Sequence, residues 1–265
     1  MDGGLKDWRD TLEDLGLLGL VLPSPEPAPA AAAFEPPARS PAPARNRPLP
    51  TVALPTQAWA PPTDAVGCPP LEAVSGAATL AELEARIQGC LACPLGSGRL
   101  RFVFGEGHPE ADLLFIGEGP GRDEDLQGRP FVGRAGELLD KMIGAIGLKR
   151  SEVYIANVVK CRPPDNRVPT APEAQRCLGY LRRQIELIRP KVIVTLGATP
   201  LRELLGISEG ITRVRGHWKR LEPEGIPVMP TFHPAYVLRQ YTDEVRRAVW
   251  MDLKAAKAWL DRPGE

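Results

Sequence analysis

The sequence predicts an α/β domain: a three-layer αβα arrangement around a central four-stranded, mostly parallel sheet. Three observations predict it. Short apolar runs that fit buried strands alternate along the chain with longer segments of helical periodicity. Each run is bounded by glycine, proline or a polar residue. Hydrophobic residues make up 43% of the 265, enough for a sizeable core.

Within this domain, Thr79 can cap a helix to about Gln88, with Leu80, Leu83 and Ile87 on one face. Asp112 to Gly117 is the first buried strand, ending in glycine. Ala135 to Ile146 is helical, and Val153 to Asn157 is the second strand. Pro172 suits a first helical position, and that helix runs to Ile188. Lys191 to Leu196 is the third strand, followed by a helix over 199–205. Ile226 to Phe232 is the fourth, with Pro227 and Pro230 near its ends. A closing helix covers Asp243 to Leu260, turning Val245, Val249, Leu253 and Ala256 inward.

The domain is expected over 77–265. Residues 1–22 place Leu5, Trp8, Leu12 and Leu15 at helical spacing before Gly16 and Gly19 interrupt. They read as a short amphipathic helix or a weakly structured tail. As a helix, they would dock an unidentified protein partner. Residues 23–76 are Pro/Ala-rich, with 15 of the 30 prolines inside 21–70. Such a tract buries too little apolar surface to offset chain entropy and is expected to be a disordered, extended linker.

The chain carries 33 basic and 33 acidic residues, which excludes a polybasic protein on bulk charge. Residues 1–74 hold 5 Lys+Arg and 9 Asp+Glu, leaving 28 and 24, a balance of +4, for the remainder. That permits a nucleic-acid partner without demanding one. No apolar run is long enough for a membrane span, and the acidic N-terminus argues against a signal peptide. A cytoplasmic protein is expected, in which cysteines serve metal, redox or packing before disulfides.

Cys90 and Cys93 form a Cys-x2-Cys pair at the end of a helix, and Cys161 and Cys177 lie farther along. Four thiolates can bind zinc or an iron–sulfur cluster. Zinc sites of this size favour two tight pairs, so the single pair leans toward [4Fe–4S], with zinc and four separate buried thiols as alternatives. Cys68 lies in the linker, apart from this set.

After the first strand comes a glycine-rich loop from Gly117 to Gly136. Pro120 breaks the dinucleotide fingerprint, and no Gly-Lys-Ser/Thr follows for a P-loop. The loop carries Glu118, Asp123, Glu124 and Asp125, and Phe131 is an aromatic available for stacking. Alone, it also reads as a solvated acidic turn. Asn157 and His233 terminate the second and fourth strands, and a lone histidine is more often structural. Ligands of parallel sheets bind beyond the strands' carboxyl ends, however, where Glu118, Asn157 and His233 would converge. An amide, a stacking ring and an imidazole together make a nucleobase pocket.

These motifs resemble the iron–sulfur uracil-DNA glycosylases of family four. The resemblance covers about 80–265. It rests on the Cys-x2-Cys pair, Gly-Glu-Gly-Pro-Gly at 117–121 and Gly-Arg-Pro-Phe-Val-Gly at 128–133. Asn-Val-Val-Lys-Cys-Arg-Pro-Pro at 157–164 and His-Pro-Ala-Tyr at 233–236 complete it. It implies the uracil-DNA glycosylase-like fold and a monofunctional repair enzyme, a monomer acting on uracil in single- or double-stranded DNA. It implies a structural [4Fe–4S] cluster on Cys90, Cys93, Cys161 and Cys177. Phe131 would stack on the flipped base and Asn157 would read its polar edge, with Gly119 and Pro120 lining the pocket. Glu118 would position water, His233 would donate to uracil O2, and Glu124 would assist. Residues 234–239 would enter the minor groove as a loop, with Leu238 as a wedge and Arg239 near phosphate. Arg122 stands where relatives often carry an acid.

Overall fold

A strand flanked on both sides by neighbours and covered on both faces must be apolar throughout. The computed structural model describes residues 74–262. It forms one sheet from β1 (Glu106–Gly107), β2 (Leu113–Gly117), β3 (Tyr154–Asn157), β4 (Val192–Leu196), β5 (Lys219–Leu221) and β6 (Ile226–Thr231). The order is β1-β3-β2-β4-β6-β5. β2 pairs in parallel with β3 and β4, and β4 with β6, which gives the four parallel strands expected. β1 and β5 add an antiparallel strand at each edge, so the sheet has six strands rather than four. Two- and three-residue strands carry no readable alternation, which is why the sequence does not reveal them.

The described helices are α1 (Leu80–Ile87), α2 (Pro94–Gly98), α3 (Arg122–Gln127), α4 (Arg134–Ala145), α5 (Ala171–Ile188), α6 (Ala198–Leu205), α7 (Ile211–Val214), α8 (Pro234–Arg239) and α9 (Asp243–Leu260). The period-two alternation of the strands divides the interior. Leu114, Ile116 and Ile193 meet α1 and α5 through Leu83, Ile87 and Leu181. Leu113, Phe115 and Val194 meet α4 and α9 through Leu139, Met142 and Leu253. Helices therefore cover both faces, and the three layers follow.

Two segments expected as loops are short helices. In α3, Gly121 N donates to Glu124 Oε2 at 3.0 Å to close the first turn, and left-handed Gly128 stops the last. α8 begins after His233, whose side chain caps it. Caps rather than apolar periodicity define both, so the periodic signal was missing. Between β3 and α5 the chain makes one short 3-10 turn at Pro164–Asn166, and Cys177 lies on α5.

The tail over 1–22, Cys68 and nearly all of the linker over 23–76 lie outside the described residues. Val74, at the end of that stretch, is buried in the α1/α5 core with Ala77. No helix among the described residues is long and apolar enough to cross a membrane.

The connections create a crevice. The chain leaves β2, returns through α4 to β3 on one side, then crosses through α5 to β4 on the other. Their carboxyl ends separate at β2 and β4, where such sheets leave room for a ligand.

Candidate active site

Gly117 ends β2 directly opposite Asn157, the last residue of β3. A Cβ on Gly117 would lie 2.4 Å from Asn157 Oδ1 and 2.6 Å from Phe131 Cζ. Only glycine lets the amide and the ring share this place. Asn157 is buried, and its Oδ1 has no hydrogen-bond partner. A buried amide oxygen without a donor is costly unless a ligand completes it.

Phe131 sits in the left-handed region at φ 50. Arg150 holds the turn, donating from Nη1 to the Phe131 carbonyl at 3.2 Å and from Nη2 to the Pro130 carbonyl at 2.5 Å. Arg150 also pairs with Asp140 and Glu106. The Phe131 ring lies against the His233 imidazole, with centroids 5.6 Å apart.

His233 follows β6 and caps α8, its Nδ1 accepting the Ala235 amide hydrogen at 3.1 Å. An accepting Nδ1 leaves the proton of neutral imidazole on Nε2. Burial pushes the His233 pKa down to about 4, and the positive charge of Arg239 acts in the same direction. His233 is therefore a neutral donor at physiological pH.

Glu118 follows Gly117 and continues beside β3, its carbonyl accepting from Val159 N at 3.1 Å. Its Oε2 accepts the Thr199 hydroxyl at 2.5 Å. Gly119 packs on Val159, where a Cβ would come within 2.7 Å of Cγ2, and Pro120 is buried. The structure thus gathers Gly117, Glu118, Phe131, Asn157 and His233 around one set of strand ends.

Other expected site residues are placed differently. Both oxygens of Glu124 are taken by backbone: Oε2 by Gly121 N, and Oε1 by Val132 N at 2.9 Å and Gly133 N at 3.1 Å. That geometry makes Glu124 a clamp on the glycine-rich loop. Leu238 is half-buried and packs on the α4/α9 core, whereas Arg239 is exposed.

The four cysteines gather in the core on the α1/α5 face of the sheet. Cys90 and Cys93 follow α1, Cys161 follows β3 and Cys177 faces them from α5. Their sulfurs receive donors: Ala92 N at 3.4 Å and Tyr180 Oη at 3.0 Å on Cys90, Arg99 Nη1 at 3.2 Å on Cys161, and Lys160 N at 3.3 Å on Cys177. All four are free of disulfides. Burial pushes the Cys161 thiol up to about 11, while the Arg99 guanidinium pulls it back. Among the described residues, no three His, Cys, Asp or Glu side chains are grouped to hold a single metal ion.

Thr199, Arg150 and Lys160 were not foreseen as site residues. Thr199 lies just beyond β4, and the strand-end rule that singled out Asn157 would have found it. Nothing local marks Arg150, which reaches back across about twenty residues of chain. Lys160 is fully buried, its Nζ donating to the Asn157 carbonyl at 2.9 Å and to Gln184 Oε1 at 2.5 Å.

The chain is similar to known proteins. Residues 104–254 match the uracil DNA glycosylase superfamily. A type-4 uracil-DNA glycosylase of Thermotoga maritima is 48% identical over 183 residues, 68% of this chain and 93% of that protein. One from Archaeoglobus fulgidus is 43% identical over 182 residues, 66% of this chain and 90% of that protein. A third, from Sulfurisphaera tokodaii, is 45% identical over 184 residues, covering 66% and 82%. With the strand-end site in the matched region, the chain belongs to the type-4 uracil-DNA glycosylases.

Proposed function

We propose that this protein hydrolyses the N-glycosidic bond of uracil in DNA, releasing free uracil and leaving an abasic site. The observation that carries the reading is the partnerless amide oxygen of buried Asn157, set against the same glycine as the Phe131 ring.

The target nucleotide leaves the base stack at a cost of about a few kcal/mol. Phe131 stacks on the extruded base. Asn157 offers an acceptor to uracil N3–H and a donor to O4. Cytosine presents the reverse pattern, an acceptor at N3 and a donor at N4, and is mismatched on both. Thymine's methyl group meets Phe131 or its neighbours.

As the C1′–N1 bond breaks, its electron pair leaves with the base and the sugar becomes oxocarbenium-like. Neutral His233 donates from Nε2 to uracil O2, where negative charge gathers. Glu118 orients the water whose oxygen bonds to C1′. The water's proton passes to the carboxylate or to solvent. Lys160, beside the pocket in sequence, is committed to Asn157 and Gln184, so no Schiff base forms and the strand stays intact. We place α8 against the DNA, with Arg239 toward phosphate and Leu238 beside the extruded site. A single chain holds every named residue, and a monomer is the proposed working form.

The cysteines fit an iron–sulfur cluster. They are converging thiols that receive N–H and O–H donors, with the Arg99 guanidinium on Cys161 and the Lys160 charge acting on Cys177. Cys90, Cys93, Cys161 and Cys177 would hold a [4Fe–4S] cluster. When bound, it would supply a structural tie between the end of α1, the segment after β3 and α5.

The test is uracil release from single- and double-stranded oligonucleotides by the cluster-loaded protein. Free uracil and an alkali-labile site are expected; intact substrate after prolonged incubation would overturn the proposal.

A further inference from the structure

The bond from Thr199 Oγ1 to Glu118 Oε2 joins the carboxyl ends of β2 and β4, across the crevice itself. We infer that Thr199 is a positioning residue for the hydrolytic step, fixing Glu118 so that its other carboxylate oxygen holds the attacking water. This rests on the assignment of Glu118 to water.

Three features support it. First, a glutamate has three side-chain torsions, and an unrestrained one samples many positions. Thr199 is buried, 4% exposed, and β-branched, so its hydroxyl has few directions to choose from. Ordering Glu118 before substrate arrives removes that entropy from the reaction step.

Second, the hydroxyl has no competing local task. Thr199 is the second residue of α6, and the helix start has no side-chain cap. A helical threonine often spends its hydroxyl on its own backbone; this one is given to a carboxylate just beyond β2. An O–H···O⁻ bond of this kind is among the stronger ones available.

Third, the same turn is tied to the opposite side of the reaction. Gly197, two residues earlier, donates its N–H to the Thr231 carbonyl at 2.9 Å, and its Cα faces His233 Cβ. One β4–α6 turn therefore bonds the carboxylate for water through Thr199 and is tied by backbone to β6 two residues before the imidazole for the departing base.

The experiment uses the cluster-loaded full chain and single-turnover uracil release. Thr199→Val keeps the shape and removes the hydroxyl; Thr199→Ser keeps the hydroxyl. The valine variant should lose about tenfold or more in the chemical rate, with KM for uracil-DNA unchanged. Serine should restore most of the rate. In a Glu118→Gln background, Thr199→Val should cost nothing further, because the bond it removes no longer positions a carboxylate. Thr199→Ala serves the same comparison if valine does not fold. A parent-like rate in both hydroxyl-free variants would overturn the inference, as would a loss fully additive to Glu118→Gln. Slow Glu118→Gln with fast Thr199→Val would remove the inference alone. A fast Glu118→Gln would remove the assignment of Glu118 itself.

Discussion

The rings of Phe131 and His233 face each other with centroids 5.6 Å apart and planes inclined by 32°. The surface that would receive a base and the group that would meet its leaving charge thus form one wall. Because burial holds the imidazole neutral down to about pH 4, that wall keeps the same charge across the physiological range.

Removing the imidazole should therefore be costly and pH-independent. His233→Ala should lower single-turnover uracil release by about 10²–10³, the scale of one lost charge-stabilising donor. The parent pH–rate profile should show no inflection near the usual histidine value. Stability has its own signature. Between about pH 4 and 6.5 the unfolded histidine binds more protons than the folded one, so this group's contribution is full above that window. It is lost as pH falls through it, and denaturant melts with and without His233 should converge there.

Asn157→Asp should relax discrimination against cytosine. A carboxyl group replaces the amide, so the fixed donor-and-acceptor pair that matches uracil is gone. Cytosine release should rise above the parent level while uracil release falls. Matched oligonucleotides containing either base provide the measurement.

Glu124 should behave as a loop clamp. Glu124→Gln removes one of two acceptor oxygens that together serve Gly121, Val132 and Gly133. Stability should fall by about 1–3 kcal/mol. KM should rise, and the pH dependence of the chemical step should stay unchanged. A shifted acid limb would instead mark Glu124 as a proton-transfer group.

Arg150 supports Phe131 through two carbonyls rather than through its ring. Arg150→Met releases a residue held at φ 50, a conformation costing about 1–3 kcal/mol without support. Uracil release should drop by about tenfold. Lysine should not restore it, because one ammonium cannot reproduce the two-pronged fork.

The cysteine set predicts colour. Purified protein should be brown, absorb near about 400 nm and carry about four irons per chain. Cys161→Ala or chelation should bleach it and lower the melting temperature. A colourless, iron-free protein of unchanged stability would exclude the cluster.

What the sequence determined by itself was whatever has a local pattern. The runs at 112–117, 153–157, 191–196 and 226–232 each carry enough apolar residues to demand burial, and they became the parallel strands. Their parallel pairing then put Gly117, Asn157 and His233 at the same carboxyl end of the sheet, because parallel strands all end on the same side. The edge strands β1 and β5 and the helices α3 and α8 had no such pattern, being too short for a period to show. Tertiary structure alone decided that Thr199 holds Glu118, that Arg150 holds Phe131 and that Glu124 is spent on amides. Each of the first two contacts joins groups far apart in sequence, and all three depend on which oxygen points where. Side-chain direction is set by packing, and a linear sequence records the donors and acceptors without recording which of them meet.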